Sequence, residues 1–317
     1  RYGEIDTLAK KWQKALNKLG SQTTVILNAD DPTVASLGKK LKRKVLYFGI
    51  KDKSLGTQSL SHASDATLCP ACFLPLKYQR CFISHLGIYK CPKCGKIQPK
   101  TNIHCLRAKF LKDSSTQIVI KAGTKKHSVK INVPGTYNIY NVLASFITSL
   151  SLKIKPKKII QGFNQFKPAF GRFEKIKIGN KSLKILLVKN PAGFNEVLKT
   201  LIQLTKEQKA VCLIALNDLI ADGRDVSWIC DVDFNLLNKS NLGKIIVSGT
   251  RAYDLALRLK YANINHQLLI INHLNEAVKN LINQSNKNLL ILPTYTAMLE
   301  IRKILNKMGL VHSTWKD

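Results

Sequence analysis

Between residues 7 and 19 the apolar positions Leu8, Trp12, Leu16 and Leu19 fall at helical spacing, and Gly20 follows as a stop. Residues 23–27 predict a short buried strand that runs directly into the polar stretch Asn28-Ala29-Asp30-Asp31-Pro32, and residues 45–48 predict a second strand. Helix, strand and polar loop at the strand's C-terminal edge is the grammar of a nucleotide-binding α/β sheet. Residues 66–100 break that grammar and read as an inserted module. From 106 to 133 the side chains alternate in β fashion, as in Ser128-Val129-Lys130-Ile131-Asn132-Val133. Pro134-Gly135 then turns the chain into a helix from about 140 to 150. A further boundary signal comes at Lys167-Pro168-Ala169-Phe170-Gly171.

Beyond residue 175 apolar strands and amphipathic helices alternate cleanly. Strands are expected at 184–188, 210–216, 244–247, 268–271 and 288–292, with helices near 194–206, 251–260, 273–283 and 295–308. Such alternation implies a mostly parallel sheet covered by helices on both faces. A chain of 317 residues exceeds what one core usually organises, so two α/β domains are expected, 1–172 and 173–317, the first carrying the insertion at 66–100. No run of 18 uncharged apolar residues offers a membrane span. The opening Arg1-Tyr2-Gly3-Glu4-Ile5-Asp6 is polar and lacks Met, so it does not read as a signal peptide, and the true N-terminus is expected to lie upstream.

The formal charge of +32 invites a nucleic-acid reading. The positive charge is nearly all Lys and spread along the whole chain, while Arg, the residue suited to bidentate phosphate contacts, is scarce. A Lys-rich composition explains this better than a nucleic-acid surface, although a diffuse positive field favours anionic partners, including nucleotides and an anionic membrane surface.

The cysteines carry the most specific signal. Cys69-Pro70-Ala71-Cys72 and Cys91-Pro92-Lys93-Cys94-Gly95 are two CxxC knuckles, and two such turns complete a closed tetrahedral zinc site. Four sulfur ligands leave no position for water, so the zinc is expected to be structural. The intervening Leu76-Lys77-Tyr78 and Gly87-Ile88-Tyr89-Lys90 read as ribbon strands, and Cys81 and Cys105 as ordinary small apolar residues. Zinc ribbons often bind nucleic acid, which keeps a nucleic-acid-binding protein as an alternative.

Three further stretches are weak singly. Asn28-Ala29-Asp30-Asp31-Pro32 is by composition a turn and helix cap before it is a site. Gly135-Thr136-Tyr137-Asn138-Ile139-Tyr140-Asn141 starts a helix whose free N–H groups face anions. It sets Asn138 and Asn141 on one face, where an Asn amide can pair with the edge of adenine. Gly171-Arg172-Phe173-Glu174 stands at the domain junction, where Arg172 has the chemistry for a phosphate contact.

In this order the three resemble the Mur ligase superfamily, with its N-x-D-D-P stretch, its G-x-x-N-x-x-N-x-x-A helix start, matched from Gly135 through Ala144, and its G-R-x-E at the junction. The four-cysteine module makes the chain more specifically similar to the MurT family. Several stretches look like that family's C-terminal domain: Lys189-Asn190-Pro191-Ala192-Gly193, Ala221-Asp222-Gly223-Arg224-Asp225-Val226-Ser227-Trp228, Ser248-Gly249-Thr250-Arg251-Ala252-Tyr253-Asp254 and Pro293-Thr294-Tyr295-Thr296-Ala297. The resemblance implies a truncated Mur ligase central ATPase domain with an inserted zinc ribbon, followed by a Rossmann-like C-terminal domain.

The same resemblance implies ATP, Mg2+ and structural Zn2+ as cofactors, with adenine nucleotide at Asn138, Asn141 and Arg172 and metal at Cys69, Cys72, Cys91 and Cys94. The activity implied is amidation of the glutamate carboxylate of lipid II through an acyl phosphate, at the cytoplasmic face of the membrane. A GatD-type class I glutamine amidotransferase partner would supply the ammonia. A folylpolyglutamate-synthetase-like ligase is the alternative within the superfamily. The Walker-type glycine loop and most magnesium ligands are not in this stretch, so it alone is not expected to turn over ATP. Where amino-acid-adding Mur ligases have D-Y-A-H-N-P, this chain has Leu186-Leu187-Val188-Lys189-Asn190-Pro191, in agreement with an ammonia-using ligase. Cys230 stands where the resemblance leads one to expect Trp. It lacks a nearby His in sequence and Cys212 lies inside an apolar strand, so no glutaminase nucleophile is evident. The stretch from Asn217 to Asp233 holds five aspartates and one Arg after a buried strand. By composition it is a solvated loop; the resemblance makes Asp222 and Asp225, with Asp218 behind them, candidates to serve the partner's glutaminase site.

Overall fold

The computed structural model describes residues 4–60, 64, 66–166, 168 and 172–312 and divides into two compact units, Arg1–Phe166 and Lys167–Asp317. The side chains of Lys40 and Arg172 also lie outside the described residues.

In the first unit, helix α1 (Ile5–Asn17) precedes strand β1 (Val25–Asn28), helix α2 (Pro32–Leu37) and strand β2 (Val45–Ile50). Strands β3 (Lys77–Ile83) and β4 (Leu86–Lys90) form a separate antiparallel hairpin inside the inserted module. Strands β5 (Ile103–Phe110), β6 (Thr116–Ala122) and β7 (Lys125–Ile131) follow, then helices α3 (Thr136–Ser151) and α4 (Pro156–Gln165). The sheet order is β1-β2-β5-β6-β7, with β1, β2 and β5 parallel and β5, β6 and β7 an antiparallel meander. The meander follows from the short polar turns at Asp113-Ser114-Ser115 and Gly123-Thr124, too brief for a parallel crossover.

The second unit holds β8 (Arg172–Ile178), β9 (Lys181–Leu186), α5 (Pro191–Thr205), β10 (Ala210–Ala215), β11 (Leu242–Ser248), α6 (Ala252–Tyr261), β12 (Gln267–Ile270), α7 (Leu274–Asn283), β13 (Asn288–Pro293) and α8 (Tyr295–Lys307). Its six-stranded sheet runs β12-β11-β10-β13-β9-β8 and is parallel except for β8, which returns antiparallel along β9. Strands β10 and β13 are buried at every position, as expected for central strands covered on both faces. Leu213, Ile246 and Ile291 share one core with Ala277 and Leu281 of α7 and Met298 and Ile301 of α8. Helix α5 starts where Pro191 takes the first turn and the Asn190 side chain caps the Gly193 N–H at 2.7 Å. Among the described residues no helix is long and apolar enough to cross a membrane.

Candidate functional site

The chain leaves β10 toward β11 on one side, while β13 lies on the other, so the C-terminal ends of β10 and β13 open a crevice between diverging connections. Open α/β sheets place their sites at such points. Asn217, the residue two past β10, is buried and acts as the hub. Its backbone N–H donates to Thr294 Oγ1 at 2.9 Å, its side-chain amide donates to Thr296 Oγ1 at 3.2 Å, and its Oδ1 accepts the Thr250 N–H at 3.1 Å. One amide therefore ties together the ends of β10, β11 and β13. Gly249 makes this approach possible: it adopts φ of 103°, and a Cβ there would lie 2.4 Å from the Leu216 carbonyl oxygen.

The acidic stretch after β10 is held at both ends and exposed in the middle. Asp218 accepts from Thr250 Oγ1 at 2.8 Å and faces Arg251 at 3.3 Å. The Thr250 hydroxyl, with the guanidinium behind it, holds the Asp218 carboxyl below the usual range. Arg251 also grips Asp254 at 2.7 Å. Asp222 accepts the Thr296 N–H at 2.9 Å and its hydroxyl as well, so it supplies from a distant loop the cap for the first turn of α8. Beyond it, Val226 and Ile229 are buried, Trp228 packs on Phe194, and Arg258 donates to the Val232 carbonyl at 2.8 Å. Between these anchors Ile220 is 84% exposed, and Asp225 projects into solvent, accepting the Ser227 N–H at 2.8 Å. That N–H keeps the Asp225 carboxyl low and charged. The three candidate aspartates thus have different surroundings: a salt-bridged Asp218, a helix-capping Asp222 and an exposed Asp225. Asn217, Thr250, Arg251 and Thr296 lie in stretches that the sequence singled out but were given no site role there; a polar run directly after each apolar strand was the available signal.

The four cysteines converge in the first unit. Cys69 and Cys94 Sγ are 3.6 Å apart, Cys72 and Cys91 Sγ are 3.4 Å apart, and all four sulfurs lie within 4.8 Å of one another. A tetrahedral zinc with Zn–S bonds of about 2.3 Å needs S···S separations of about 3.8 Å, so the donor set fits that metal. The knuckles are built alike: Phe73 N–H donates to the Cys69 carbonyl at 2.8 Å, and Gly95 N–H to the Cys91 carbonyl at 3.2 Å. Phe73 accordingly takes φ of 57°, in the left-handed region, at the position Gly95 holds in the second knuckle. The Cys94 N–H draws the Cys91 thiol down, which favours the thiolate that a metal requires, while the Cys72 thiol, despite the Leu74 N–H, is raised by the Cys91 sulfur beside it.

Asn138 and Asn141 open α3, Asn138 donating to the Pro134 carbonyl at 2.6 Å and Asn141 to Asn138 Oδ1 at 3.3 Å. Arg172 opens β8 opposite Leu186 of β9. Asp31 caps α2 by accepting the Thr33 and Val34 N–H groups at 2.9 and 3.0 Å. Asp30 is fully buried, and burial raises it to about 7, its hydrogen bonds pulling the other way. A carboxyl raised in the folded state binds protons that the unfolded chain has released. Stability from this group is therefore fully present below about pH 4 and lost as pH rises through 7, a change on the order of 4 kcal/mol. Asp30→Asn should flatten the urea-unfolding free energy across that window, and an unchanged slope would remove Asp30 as its source.

Comparison with known proteins agrees with this geometry. A family profile described as MurT ligase C-terminal matches residues 187–298, which contain the whole crevice. The Streptococcus pneumoniae protein named lipid II isoglutaminyl synthase (glutamine-hydrolyzing) subunit MurT is 32% identical over 313 residues, covering 98% of this chain and 68% of that protein. Among solved structures, a pseudomurein peptide ligase type C from Methanothermus fervidus superposes with a TM-score of 0.69 at 23% identity, covering 96% of this chain and 60% of that one. The MurF ligase from Thermotoga maritima in complex with ADP gives 0.61 at 13% identity, over 97% of this chain and 59% of that one. The fold is that of the Mur ligases, and kinship along nearly the whole length places the chain in the MurT family of these enzymes.

Proposed function

We propose that this chain is the ligase subunit of a lipid II isoglutaminyl synthase, and the kinship with the pneumococcal subunit along 98% of the chain carries that reading. In this reaction the carboxylate of the stem-peptide D-glutamate attacks the γ-phosphorus of ATP, and ADP leaves. Ammonia then attacks the acyl carbon, phosphate leaves, and the ammonium proton passes to solvent, giving D-isoglutamine. Protein groups position the reactants and neutralise phosphate charge.

The proposed division of labour follows the sequence boundaries: residues 1–172 as the central ATPase domain with its ribbon at 66–100, and 173–317 as the C-terminal domain. Asn138 and Asn141 would present their amides to adenine; the MurF ligase that shares this fold was solved in complex with ADP. Arg172 is proposed for a phosphate contact on its chemistry alone. Cys69, Cys72, Cys91 and Cys94 would hold Zn2+, which supplies folding energy and no reaction chemistry.

Ammonia would come from a GatD-type class I glutaminase, with the complex at the cytoplasmic face of the membrane where lipid II is presented. Two features support an external source. Cys212 is buried inside β10, where burial pushes its thiol up, and the exposed Cys230 has no His nearby in the sequence, so neither is set up as a glutaminase nucleophile. Asp225 meanwhile offers an exposed charged carboxylate beside the crevice.

The deciding experiment is amidation of lipid II by the full-length protein with ATP and ammonium, read by mass spectrometry; no amidated product with either ammonium or partner-derived ammonia would end the proposal. In the same assay Arg172→Ala should raise the KM for ATP about tenfold or more, the scale of a charge-assisted phosphate contact. Its thermal midpoint should barely move. An unchanged KM would take Arg172 out of the site.

A further inference from the structure

Three separate parts of the first unit meet at Asp30. Its Oδ2 accepts the Ile50 N–H of β2 at 2.7 Å and the Tyr140 hydroxyl of α3 at 2.7 Å. Its Oδ1 accepts from Gln98 Nε2, which also donates to the Gly87 carbonyl at 3.2 Å, and its own carbonyl accepts the Gly87 N–H at 2.9 Å. Gly87 lies in β4 and Gln98 four residues past Cys94, so both belong to the inserted four-cysteine module. Tyr140 stands between Asn138 and Asn141 on the first turns of α3. The next residue repeats the attachment: Asp31 Oδ2 is 3.4 Å from His85 Nε2 at the turn of the β3–β4 hairpin.

The room for this carboxyl is specific. A Cβ on Gly49 would lie 2.3 Å from Asp30 Oδ1, so β2 carries a glycine where the carboxyl passes. Asp30 is 0% exposed, so what it does, it does through its partners. Those partners come from 68 residues away in one direction of contact and 110 in another, far more than local capping of one loop demands.

We propose that Asp30 is a positioning residue for nucleotide binding: it joins the docked four-cysteine module to the helix that presents Asn138 and Asn141, so that the module sets the affinity for adenine nucleotide. This rests on the reading of Asn138 and Asn141 as adenine contacts. The Tyr140 hydroxyl fixes the rotation of the first turns of α3 only while the carboxyl stays put, and Gln98 holds the carboxyl from the other side. A small displacement of a positioning group lowers affinity or rate steeply. The titratable groups around Asp30 are Lys51 after β2, Tyr140 on α3, Tyr89 on β4, Cys105 on β5 and the Asp31–His85 pair. All three donors to the side chain can be satisfied by a carboxylate, whereas the protonated form must surrender one acceptor site.

The test is calorimetric titration of ATP with Mg2+ into the full-length protein in complex with its partner subunit. Gln98→Leu and Tyr140→Phe should each weaken ATP about tenfold, the scale of one hydrogen bond to a charged group, while zinc stays bound. Acting through one carboxyl, they should be non-additive, the double variant losing well under about a hundredfold. Wild-type affinity should fall relative to that of Asp30→Asn as pH drops below about 7, a difference that a purely structural role would not create. Asn138→Ala serves as the reference. If it weakens ATP while both Gln98→Leu and Tyr140→Phe stay within about twofold of wild type, or if their losses add, the positioning role is overturned. If Asn138→Ala leaves affinity unchanged, the adenine assignment fails and takes this proposal with it.

Discussion

Glutamine-driven amidation by the Asp225→Asn variant should fall by about 10⁴-fold, the scale seen when the carboxylate of a hydrolytic triad is replaced by its amide. The carboxylate would accept a hydrogen bond from the partner's catalytic His, fixing its tautomer and steadying the imidazolium that forms when the His takes up the nucleophile's proton. Asp225 is exposed, charged and carried on a loop pinned at both ends, so its removal leaves the fold intact. Free ammonium should restore much of the rate, because only the glutaminase step has been lost. Asp222→Asn should behave differently. Asp222 caps α8 through Thr296, so its replacement should lower stability by about 1 kcal/mol, the usual cost of a lost cap. Asp218→Asn should loosen Arg251 without abolishing either reaction. Size exclusion keeps assembly separate from catalysis. Normal glutamine-driven rates in both Asp222→Asn and Asp225→Asn would end the assignment of this loop to the partner's active site.

Purified protein should contain one zinc per chain, and Cys69→Ser should release it and unfold residues 66–100. Structural zinc supplies on the order of 10 kcal/mol of folding energy to a small module. The module's own core is little more than Leu76, Tyr89 and the cysteines themselves, which is too few apolar side chains to hold a hairpin alone. Limited proteolysis should therefore cut Cys69→Ser within the module while the strands of the second unit resist. A metal content near zero after purification without chelators would falsify the zinc assignment.

The second unit was legible nearly strand by strand. Val211–Leu216 and Leu289–Leu292 are uninterrupted apolar runs, and such runs survive any tertiary context because both faces of a central parallel strand must be dry. The paired CxxC turns were legible for a similar reason: ligand spacing is a local property of the chain. Helix α4 was missed because Lys157 and Lys158 mask an amphipathic pattern whose buried anchor is Ile159. Strand β8 was missed because its alternation of Lys with apolar residues has no meaning until β9 lies beside it.

Sequence alone determined most element types, α4 and β8 excepted, the clustering of four cysteines and, through its ordered motifs, the family, since each depends on residue identity at short spacing. Only the tertiary structure decided which aspartate does what. Asp30 and Asp31 are adjacent in one motif, yet one is buried among donors from β2, α3 and the inserted module while the other caps a helix. Asp222 and Asp225 are three residues apart, yet one is committed to α8 and the other is exposed to solvent. A carboxylate's role is set by the donors around it: Asp31 and Asp225 take their backbone donors from within three residues, whereas the donors of Asp30 and Asp222 come from 20 to 110 positions away, a distance over which local pattern carries no information.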